Sequence, residues 1–542
     1  MPKLTINGKV IEVPEGTNLI EAAKAAGADV PHYCYHPALS IAGQCRLCMV
    51  DIEKVPRPQI ACNTQAAEGM VVHTETERVK ETRRSMMEFH LINHPLDCPV
   101  CDQAGECFLQ IYYMKHGLYD PRMTDEKVHK PKAVPLGPHV ILDAERCILC
   151  SRCVRYCDEV THGGELGIFN RGDHSEIGLF PGKTLENKYS GNVIDICPVG
   201  ALTDRDFRFQ VRVWYLGTAK SVCNGCARGC NIEVHTNKHR THHNQGRRVA
   251  RLKPRFNADV NKWWMCDAGR YGFKWMDDKS RLVQPLHRVG AQATEVSWDR
   301  ALPEIVTALQ RTRPEEIGFL ASPQMSNEDL WVLRRLAEQL GVNNVDFRVP
   351  PRAPGDEDNF LIRADKNPNS RGAELLGITP GGIGPGQGGL DAAGMLRAAR
   401  ERRLKLLWVF HHDLWAAAWP ETDVLAALEG AENVIFQGTS SAGEVSARAH
   451  LVLPSAAYVE REGTFTNFEG RVQRFRTALA PLGEAWPDWM ILSFVGKALG
   501  FRDPVFAAER SEQVFNALAS AVPAFAGMTY RGIGDAGLKV KA

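Results

Sequence analysis

The second half of this 542-residue chain has no cysteine: all sixteen lie at or before Cys266. Chemistry that needs thiolate ligands is therefore confined to the first half. Sixteen cysteines are also too dilute for a disulfide scaffold. An excess of one charge is missing as well. Lys+Arg number 65 against 64 Asp+Glu, a net +1, which removes the general electrostatic case for nucleic acid or an acidic membrane surface as a partner. No apolar run approaches the roughly 18 residues of a membrane span. Residues 1–20 alternate like strands and show neither a signal peptide nor an Arg-rich presequence, which predicts a cytoplasmic chain in a prokaryote. What remains is globular: 44% of residues are hydrophobic and 24% charged. At about 150 residues per domain, three or four domains are expected.

The cysteines fall into four groups. Cys34, Cys45, Cys48 and Cys62 are spaced C-x10-C-x2-C-x13-C. Before them, LTINGKVIEV reads as two strands about an Asn7-Gly8 turn. A helix pattern runs from Asn18 to Ala26, and GMVVHTE reads as a closing strand. That order is a β-grasp plan with the ligands on its long loop, where Gly43 lets backbone N–H groups approach a sulfide. Plant-type ferredoxins hold a [2Fe–2S] cluster with a shorter first gap. Zinc or four buried free thiols are the alternatives, although zinc sites usually pair two short C-x2–4-C turns.

The second group, HPLDCPVCDQAGEC, offers His94, Cys98, Cys101 and Cys107. Three thiolates and an imidazole can hold zinc or a [4Fe–4S] cluster, and the ligand set does not decide between them. A neutral imidazole would tend to raise a cluster's potential. His36 and His90 have no cysteines in register and read as satisfied surface histidines. The third group, CILCSRCVRYC, gives Cys147, Cys150, Cys153 and Cys157, with Cys197-Pro198 later. It resembles the bacterial ferredoxin run, in which three cysteines share a cubane with a Cys-Pro cysteine. Applied here, Cys147, Cys150 and Cys153 join Cys197. Cys157 would serve a second cluster that lacks its other ligands, so it is expected to be a small buried hydrophobe. The fourth group, CNGCARGC with a later partner, gives Cys223, Cys226, Cys230 and Cys266. NIEVHT and RRVARL are strand-like, predicting a β-hairpin between its cysteines. A [4Fe–4S] cluster is expected there, with zinc as the alternative. Fifteen cysteines and one histidine thus give four ligands to each of four sites.

From about residue 274 the pattern alternates strands and helices, predicting a doubly wound α/β domain. Strand candidates are EIGFLAS, NVDFRV, LKLLWVF, NVIFQG and LVLP. Helix candidates include SWDRALPEIVTALQR, with Ser297 as N-cap, and SNEDLWVLRRLAEQLG, ending at Gly341. Residues 350–370 read as a surface loop, and the stretch after 480 as two helices and a loose tail. Gly384-Pro385-Gly386-Gln387-Gly388-Gly389 matches G-x-G-x-x-G, but no strand run precedes it, so it reads as a Gly-rich loop and not an NAD site. His239, His242 and His243 lack acidic or Cys companions and read as solvated. Trp263 and Trp264 are expected to pack against the fourth site's domain.

The order of these motifs resembles the large iron–sulfur subunit family of respiratory NADH:quinone oxidoreductase (complex I), whose bacterial members are called the G subunit. Near VLPSAAYVEREGTFTNFEGRVQ the α/β half is similar to the molybdopterin oxidoreductase superfamily. The resemblance implies a multidomain α+β and α/β chain. Residues 1–78 would be a β-grasp [2Fe–2S] ferredoxin domain, 79–120 a [4Fe–4S] domain with one histidine and three cysteine ligands, and 138–212 a ferredoxin-like [4Fe–4S] domain. Residues 216–272 would be a [4Fe–4S] subdomain, and 273–542 a molybdopterin-oxidoreductase-like domain without a thiolate metal ligand. It implies one [2Fe–2S] and three [4Fe–4S] clusters and no molybdopterin. The expected partners are the flavin-bearing NADH-binding subunit and a ferredoxin-like two-cubane subunit. No nucleic acid is expected, and the membrane is met only through the complex, at the cytoplasmic face of a bacterial inner membrane. The fourth cubane would lie off the main electron route, and no complete NAD, flavin or quinone site is expected on this chain. The rival reading is the catalytic molybdenum or tungsten α-chain of an NAD-linked formate dehydrogenase. Its ferredoxin-like domain would need eight cysteines where five are present, and its usual metal-ligating cysteine would follow Cys266.

Overall fold

The computed structural model describes every residue except 121, 239, 291, 384–387 and 542. The chain divides into two compact units, residues 1–216 with 242–245, and residues 217–241 with 246–542.

The first unit opens with an antiparallel hairpin, Lys3–Ile6 against Lys9–Glu12. Asn7 and Gly8 take φ of 49° and 80°, the pair of positive values that a two-residue primed turn needs. The helix Leu19–Ala26 is capped by the Asn18 side chain, which accepts from the Glu21 N–H, and ends at left-handed Gly27. It buries Leu19, Ile20, Ala22 and Ala23 against Leu4, Ile6, Val50 and Val72 of the sheet. Val71–His73 runs parallel to Lys3–Ile6, Met49–Ile52 lies antiparallel to Val71–His73, and Gln59–Ile60 closes the edge. This is the β-grasp plan with two strands, Met49–Ile52 and Gln59–Ile60, that the pattern does not reveal. VDIEKVPRPQ interrupts them with charge and proline, so their pairing depends on tertiary contact. The helices Glu77–Leu91 and Phe108–His116 bracket the His94–Cys107 segment. The ferredoxin-like part joins Val134–Pro135, Val140–Leu142 and Leu202–Asp204 in one small sheet. Its helices are Arg152–Glu159 and Asn192–Ile196, and the hairpin Leu166–Phe169/Glu176–Leu179 lies between them in sequence.

The second unit begins with a three-stranded sheet centred on Asn231–Asn237. Its partner Val249–Pro254 forms the expected hairpin, and Leu216–Val222 adds a third strand that its polar residues conceal. The main sheet has seven strands, ordered Gln292–Glu295, Leu286–Val289, Leu451–Pro454, Asn433–Gly438, Leu406–Phe410, Ile317–Leu320 and Asn344–Asp346. The last five are parallel, and the first two form an antiparallel edge hairpin. The parallel strands are buried on both faces, which explains their continuous apolar runs. Trp298–Arg311, Asn327–Leu340, Asp488–Ala498 and Ser511–Ala521 pack on one face. Ala392–Arg400 and Glu421–Gly430 pack on the other. Four residues of the G-x-G-x-x-G match, 384–387, lie outside the described residues. The end of the chain is not loose: Leu538–Lys539 pairs with Arg471–Val472. That ladder is too short to mark the sequence.

A polar brace crosses this second core. Arg461 pairs with Asp329 and, at 3.7 Å, with Asp488. Asp488 also meets His411 at 3.0 Å, Gln437 at 2.8 Å and Ser455 at 2.6 Å. Beside the brace, Trp408 is 0% exposed, stacks on Phe410 at 5.3 Å and meets Phe319 edge-on at 5.9 Å. Trp408→Ala is expected to cost the second unit about 3–5 kcal/mol. The check is the denaturant midpoint of that unit, and an unmoved midpoint would mean the core collapses around the deletion.

Candidate metal centres

The first site lies on the loop before Met49–Ile52 and closes at Cys62 in the short turn Ala61–Asn63. Cys34, Cys45, Cys48 and Cys62 are all buried and free of disulfides. They form two hydrogen-bonded thiol pairs, Cys34 with Cys45 and Cys48 with Cys62. The N–H groups of Tyr33 and Cys34 point at Cys45 Sγ from 3.4 and 3.5 Å. Donors aimed at sulfur favour the thiolate. The hydrogen bond from Cys45 holds Cys34 well below the usual thiol range, with Arg155 adding to it, and the hydrogen bond from Cys48 lowers Cys62. Gly43 has φ of 63°, which a side chain would strain.

His36 and His90 are not surface histidines. Both are half-buried. His90 Nε2 hydrogen-bonds the Cys45 carbonyl at 3.1 Å and its ring meets Tyr33 edge-on at 5.0 Å. Burial lowers the pKa of each, that of His36 to about 3. His90 therefore braces the first site from a helix 45 residues away in sequence. No local pattern could signal that.

In the second site Cys101 and Cys107 are buried and Cys98 is exposed. Burial pushes Cys107 up to about 11, with the Cys101 and Cys98 thiolates adding. Burial, then Arg146 and Lys127, push His94 down to about 4, so its imidazole is neutral. Its Nδ1 is buried without a hydrogen-bond partner. A neutral ring with an orphaned nitrogen is suited to a metal ligand. Arg146 is buried and bonded to Asp97 at 2.7 Å. Gly200 has a steric duty here: a Cβ at that position would lie 2.2 Å from Cys101 Sγ.

The third site is a cavity lined by Cys147, Cys150, Cys153 and Cys197, with Leu142, Ile177, Val199 and Leu202 as apolar walls. Leu149 and Ser151 adopt φ of 54° and 58°, and the Leu149 N–H points at Cys147 Sγ from 3.4 Å. Burial pushes Cys147 up to about 12 and Cys150 to about 11. Cys157 is fully buried and does not line this cavity. Burial and Glu165 raise its pKa.

The fourth site is a second cavity, lined by Cys223, Cys226, Cys230 and Cys266. The Gly225 N–H points at Cys223 Sγ from 3.4 Å, and the Gly269 N–H at Cys266 Sγ from 3.3 Å. Burial pushes Cys223 up to about 12. A Cβ on Gly269 would stand 3.1 Å from Cys223 Sγ. Leu361, Ile362 and Lys366, from the long surface loop, complete the wall; a polar loop carries no sequence signal of that duty. Trp264 is buried and Trp263 packs on Phe256 at 4.4 Å. His239 lies outside the described residues, while His242 is exposed and His243 Nδ1 contacts the Gln210 carbonyl at 3.2 Å.

Among the described residues, no three His, Cys, Asp or Glu side chains are gathered to hold a single ion. The third and fourth sets stand around cavities instead, with backbone donors aimed at sulfur and glycine where sulfur needs room. A buried thiolate without a counter-charge is costly, and polynuclear iron supplies that charge. The donor sets therefore fit iron–sulfur clusters.

Comparison with known proteins agrees. Residues 2–77 match the 2Fe-2S iron-sulfur cluster binding domain, and 83–122 the NADH-ubiquinone oxidoreductase-G iron-sulfur binding region. Residues 137–203 match the ferredoxin-like domain of NADH-quinone oxidoreductase subunit 3. Residues 217–278 match the molybdopterin oxidoreductase Fe4S4 domain, and 281–353 with 371–498 match molybdopterin oxidoreductase. The NADH-quinone oxidoreductase G subunit of Rickettsia bellii is 32% identical over 606 residues, covering 92% of this chain and 86% of that protein. The mitochondrial NADH-ubiquinone oxidoreductase 78 kDa subunit of Candida albicans is 30% identical, covering 93% and 83%. Among solved structures, an NAD+-reducing [NiFe]-hydrogenase chain is 30% identical at a TM-score of 0.36, covering 39% of this chain and 91% of that one.

These domains define a multi-centre iron–sulfur electron carrier, with 2Fe-2S and 4Fe-4S binding domains set before a molybdopterin-oxidoreductase fold. Within that class, the chain belongs to the G-subunit family of NADH-quinone oxidoreductase.

Two substitutions separate the ligands from their neighbours. Gly200→Ala is expected to lower the iron content, because its methyl displaces Cys101 Sγ from the candidate set His94, Cys98, Cys101 and Cys107. Cys157→Ala is expected to leave every cluster in place. Iron content and low-temperature electron paramagnetic resonance read both. A cubane signal lost in Cys157→Ala would mean that the third site is assigned to the wrong sulfurs.

Proposed function

We propose that this chain relays electrons one at a time inside an NADH:quinone oxidoreductase. The observation that carries the reading is that two sets of four cysteines, Cys147/Cys150/Cys153/Cys197 and Cys223/Cys226/Cys230/Cys266, each line one cavity. The ligand sets are Cys34, Cys45, Cys48 and Cys62 for a [2Fe–2S] cluster and three sets for [4Fe–4S] clusters. Those three are Cys147/Cys150/Cys153/Cys197, His94/Cys98/Cys101/Cys107 and Cys223/Cys226/Cys230/Cys266. When bound, such clusters supply one-electron centres whose potentials follow ligand type, burial and hydrogen bonds to sulfur.

The residues of the chain supply the rest. The N–H groups of Tyr33, Leu149, Gly225 and Gly269 offset negative charge on sulfur. Leu142, Ile177 and Val199 keep water from the third site. His94, neutral where a cysteine would be negative, favours the reduced state of its cluster. NADH oxidation and quinone reduction fall to partner subunits: a flavin-bearing NADH-binding subunit upstream and a ferredoxin-like two-cubane subunit downstream. The proposed location is the cytoplasmic face of a bacterial inner membrane, within the complex. Among the described residues, no helix is long and apolar enough to cross a membrane. The α/β half is proposed to carry no molybdopterin, since no cysteine follows Cys266 to ligate its metal.

Protein purified without oxygen is expected to hold one two-iron and three four-iron clusters, about fourteen irons per chain, and no molybdenum or tungsten. Either heavier metal at one per chain would move the assignment to a formate dehydrogenase α-chain. Zinc in place of iron would end the redox reading. His94→Cys is expected to keep its cubane at a lower midpoint potential, because a negative ligand favours the oxidised state. An unchanged midpoint in a redox titration would remove His94 from the ligand set.

A further inference from the structure

One helix, Arg152–Glu159, ties two of the metal centres together. It begins two residues after Cys150, and its side chains reach the loop that carries Cys34 and Cys45. Arg155 Nη2 donates to the Cys34 carbonyl at 2.5 Å and to the Cys150 carbonyl at 3.2 Å. A single nitrogen thus joins one residue from each site. Arg155 Nη1 donates to the Ser40 carbonyl, and Nε to Ser151 Oγ at 3.1 Å. Arg152 spans the same gap. Its Nη2 donates to the carbonyl of Tyr35, next to Cys34, and its Nη1 to that of Ile196, next to Cys197, at 3.1 Å. At the far end of the helix, Glu159 accepts from the Ser40 N–H at 2.7 Å.

Arg152 is 4% exposed, lines the third cavity, and has a buried Nε with no hydrogen-bond partner. Burial opposes its charge, and the thiolates of Cys150, Cys197, Cys34 and Cys45 favour it. A guanidinium so deep is costly unless an anion faces it. The anions available to it are the cysteine sulfurs of the two sets once a cluster holds them as thiolates.

We propose that Arg152 and Arg155 are the link for electron transfer between the [2Fe–2S] cluster and the cubane of the third site. Arg155 is the through-bond connection, and Arg152 is the cation that both clusters share. This rests on the cluster assignment above. From Cys34 Sγ, covalent bonds lead to its carbonyl oxygen. One hydrogen bond crosses to Arg155 Nη2, a second reaches the Cys150 carbonyl, and covalent bonds end at Cys150 Sγ. One electron leaves the reduced [2Fe–2S] cluster and enters the oxidised cubane, and no proton moves and no bond breaks. Arginine stays charged throughout the working pH range, so the link does not titrate. Reduction makes each cluster more negative, and a fixed cation between them favours both reduced states. Both arginines are positioning residues.

The test uses the full chain with its clusters assembled. The wild type must show a reduced [2Fe–2S] signal and cubane signals in electron paramagnetic resonance. Their absence overturns the cluster assignment itself, which is a different failure from failure of the link. In Arg152→Met, the midpoints of the [2Fe–2S] cluster and the third-site cubane should both fall. The expected change is about tenfold in each reduction equilibrium, about 59 mV for a one-electron couple, with the other two clusters unmoved. In Arg155→Leu, the rate at which the cubane equilibrates with the [2Fe–2S] cluster after flash reduction should drop several-fold, and Arg155→Lys should restore part of it. Where Arg152→Met lowers iron content, Arg152→Lys is read instead. It keeps the charge, so both potentials should stay near wild type, and a fall in either overturns the shared-cation role. Unmoved potentials in an iron-replete Arg152→Met chain, or an unchanged rate in an iron-replete Arg155→Leu chain, overturn the link.

Discussion

A thiolate moved out of water must meet positive charge or hydrogen-bond donors, and the sites of this chain are organised around that constraint. Burial raises the thiols of Cys107, Cys147, Cys150, Cys153, Cys197, Cys223 and Cys230. Left to themselves, such groups stay protonated at neutral pH. Each cluster that binds must drive off those protons and supply the counter-charge, so metal binding and folding around the sites share one free energy. The scaffold reduces what the metal must supply. Peptide N–H groups face sulfur from loops held at positive φ, including non-glycine Arg46, Leu149 and Ser151 at 55°, 54° and 58°. Such conformations cost of order 1–3 kcal/mol each and persist only where the surroundings enforce them.

The enforcement comes from ordinary secondary structure. The helix Leu19–Ala26 and the strand Met49–Ile52 fix the two ends of the loop that bears Cys34, Cys45 and Cys48, and His90 ties the Cys45 carbonyl to the helix Glu77–Leu91. Cys266 sits at the start of the helix Asp267–Tyr271, where its sulfur accepts from the Gly269 N–H. One sulfur atom thus caps a helix and faces the fourth cavity. Gly200 and Gly269 leave the room that Cys101 and Cys223 sulfurs need. At Gly200 glycine is required by space and not by turn geometry, and at Gly269 a side chain would press on Cys223 Sγ.

Much of this was legible in the sequence, because ligand spacing is a local property. The four groups, the hairpin at Asn7-Gly8, the helix opened by Asn18 and the parallel strands of the second half all announce themselves over short windows. What was hidden depends on contacts far apart in the chain. His36 and His90 look like surface residues until their partners are known. Leu361, Ile362 and Lys366 belong to a loop whose composition says only that it is exposed, yet they wall the fourth site. Arg152 and Arg155 read as spacers between cysteines, and their reach to Tyr35 and Cys34 crosses more than a hundred residues. The strand Leu216–Val222 and the edge hairpin Leu286–Val289/Gln292–Glu295 are half polar, so periodicity passes over them.

The α/β core of the second unit answers the same constraint by a different route. It also buries charge, but it neutralises that charge internally. Burial opposes ionisation of Asp488, yet His411 and Arg461 outweigh it and hold the carboxyl well below its usual range. A carboxyl held low adds stability above its ordinary titration range, and loses it only as the pH falls toward the depressed value. Glu328 behaves oppositely: burial pushes it up to about 7 against the pull of the Thr464 N–H and hydroxyl. A carboxyl raised in this way subtracts stability as the pH climbs from its ordinary value toward 7. At neutral pH the lowered Asp488 and the raised Glu328 therefore act on stability with opposite signs. The brace around Asp488 and Arg461 draws its partners from Asn327–Leu340, the turn after Leu406–Phe410, Asn433–Gly438 and Asp488–Ala498. Removing Arg461 would leave the Asp329 carboxylate without its cation in a dry core. The brace thus fixes how those helices seat on the sheet, with side chains alone. Where the cysteine sites need metal to settle their buried charge, the α/β core is settled by the pairing of its own acids and bases.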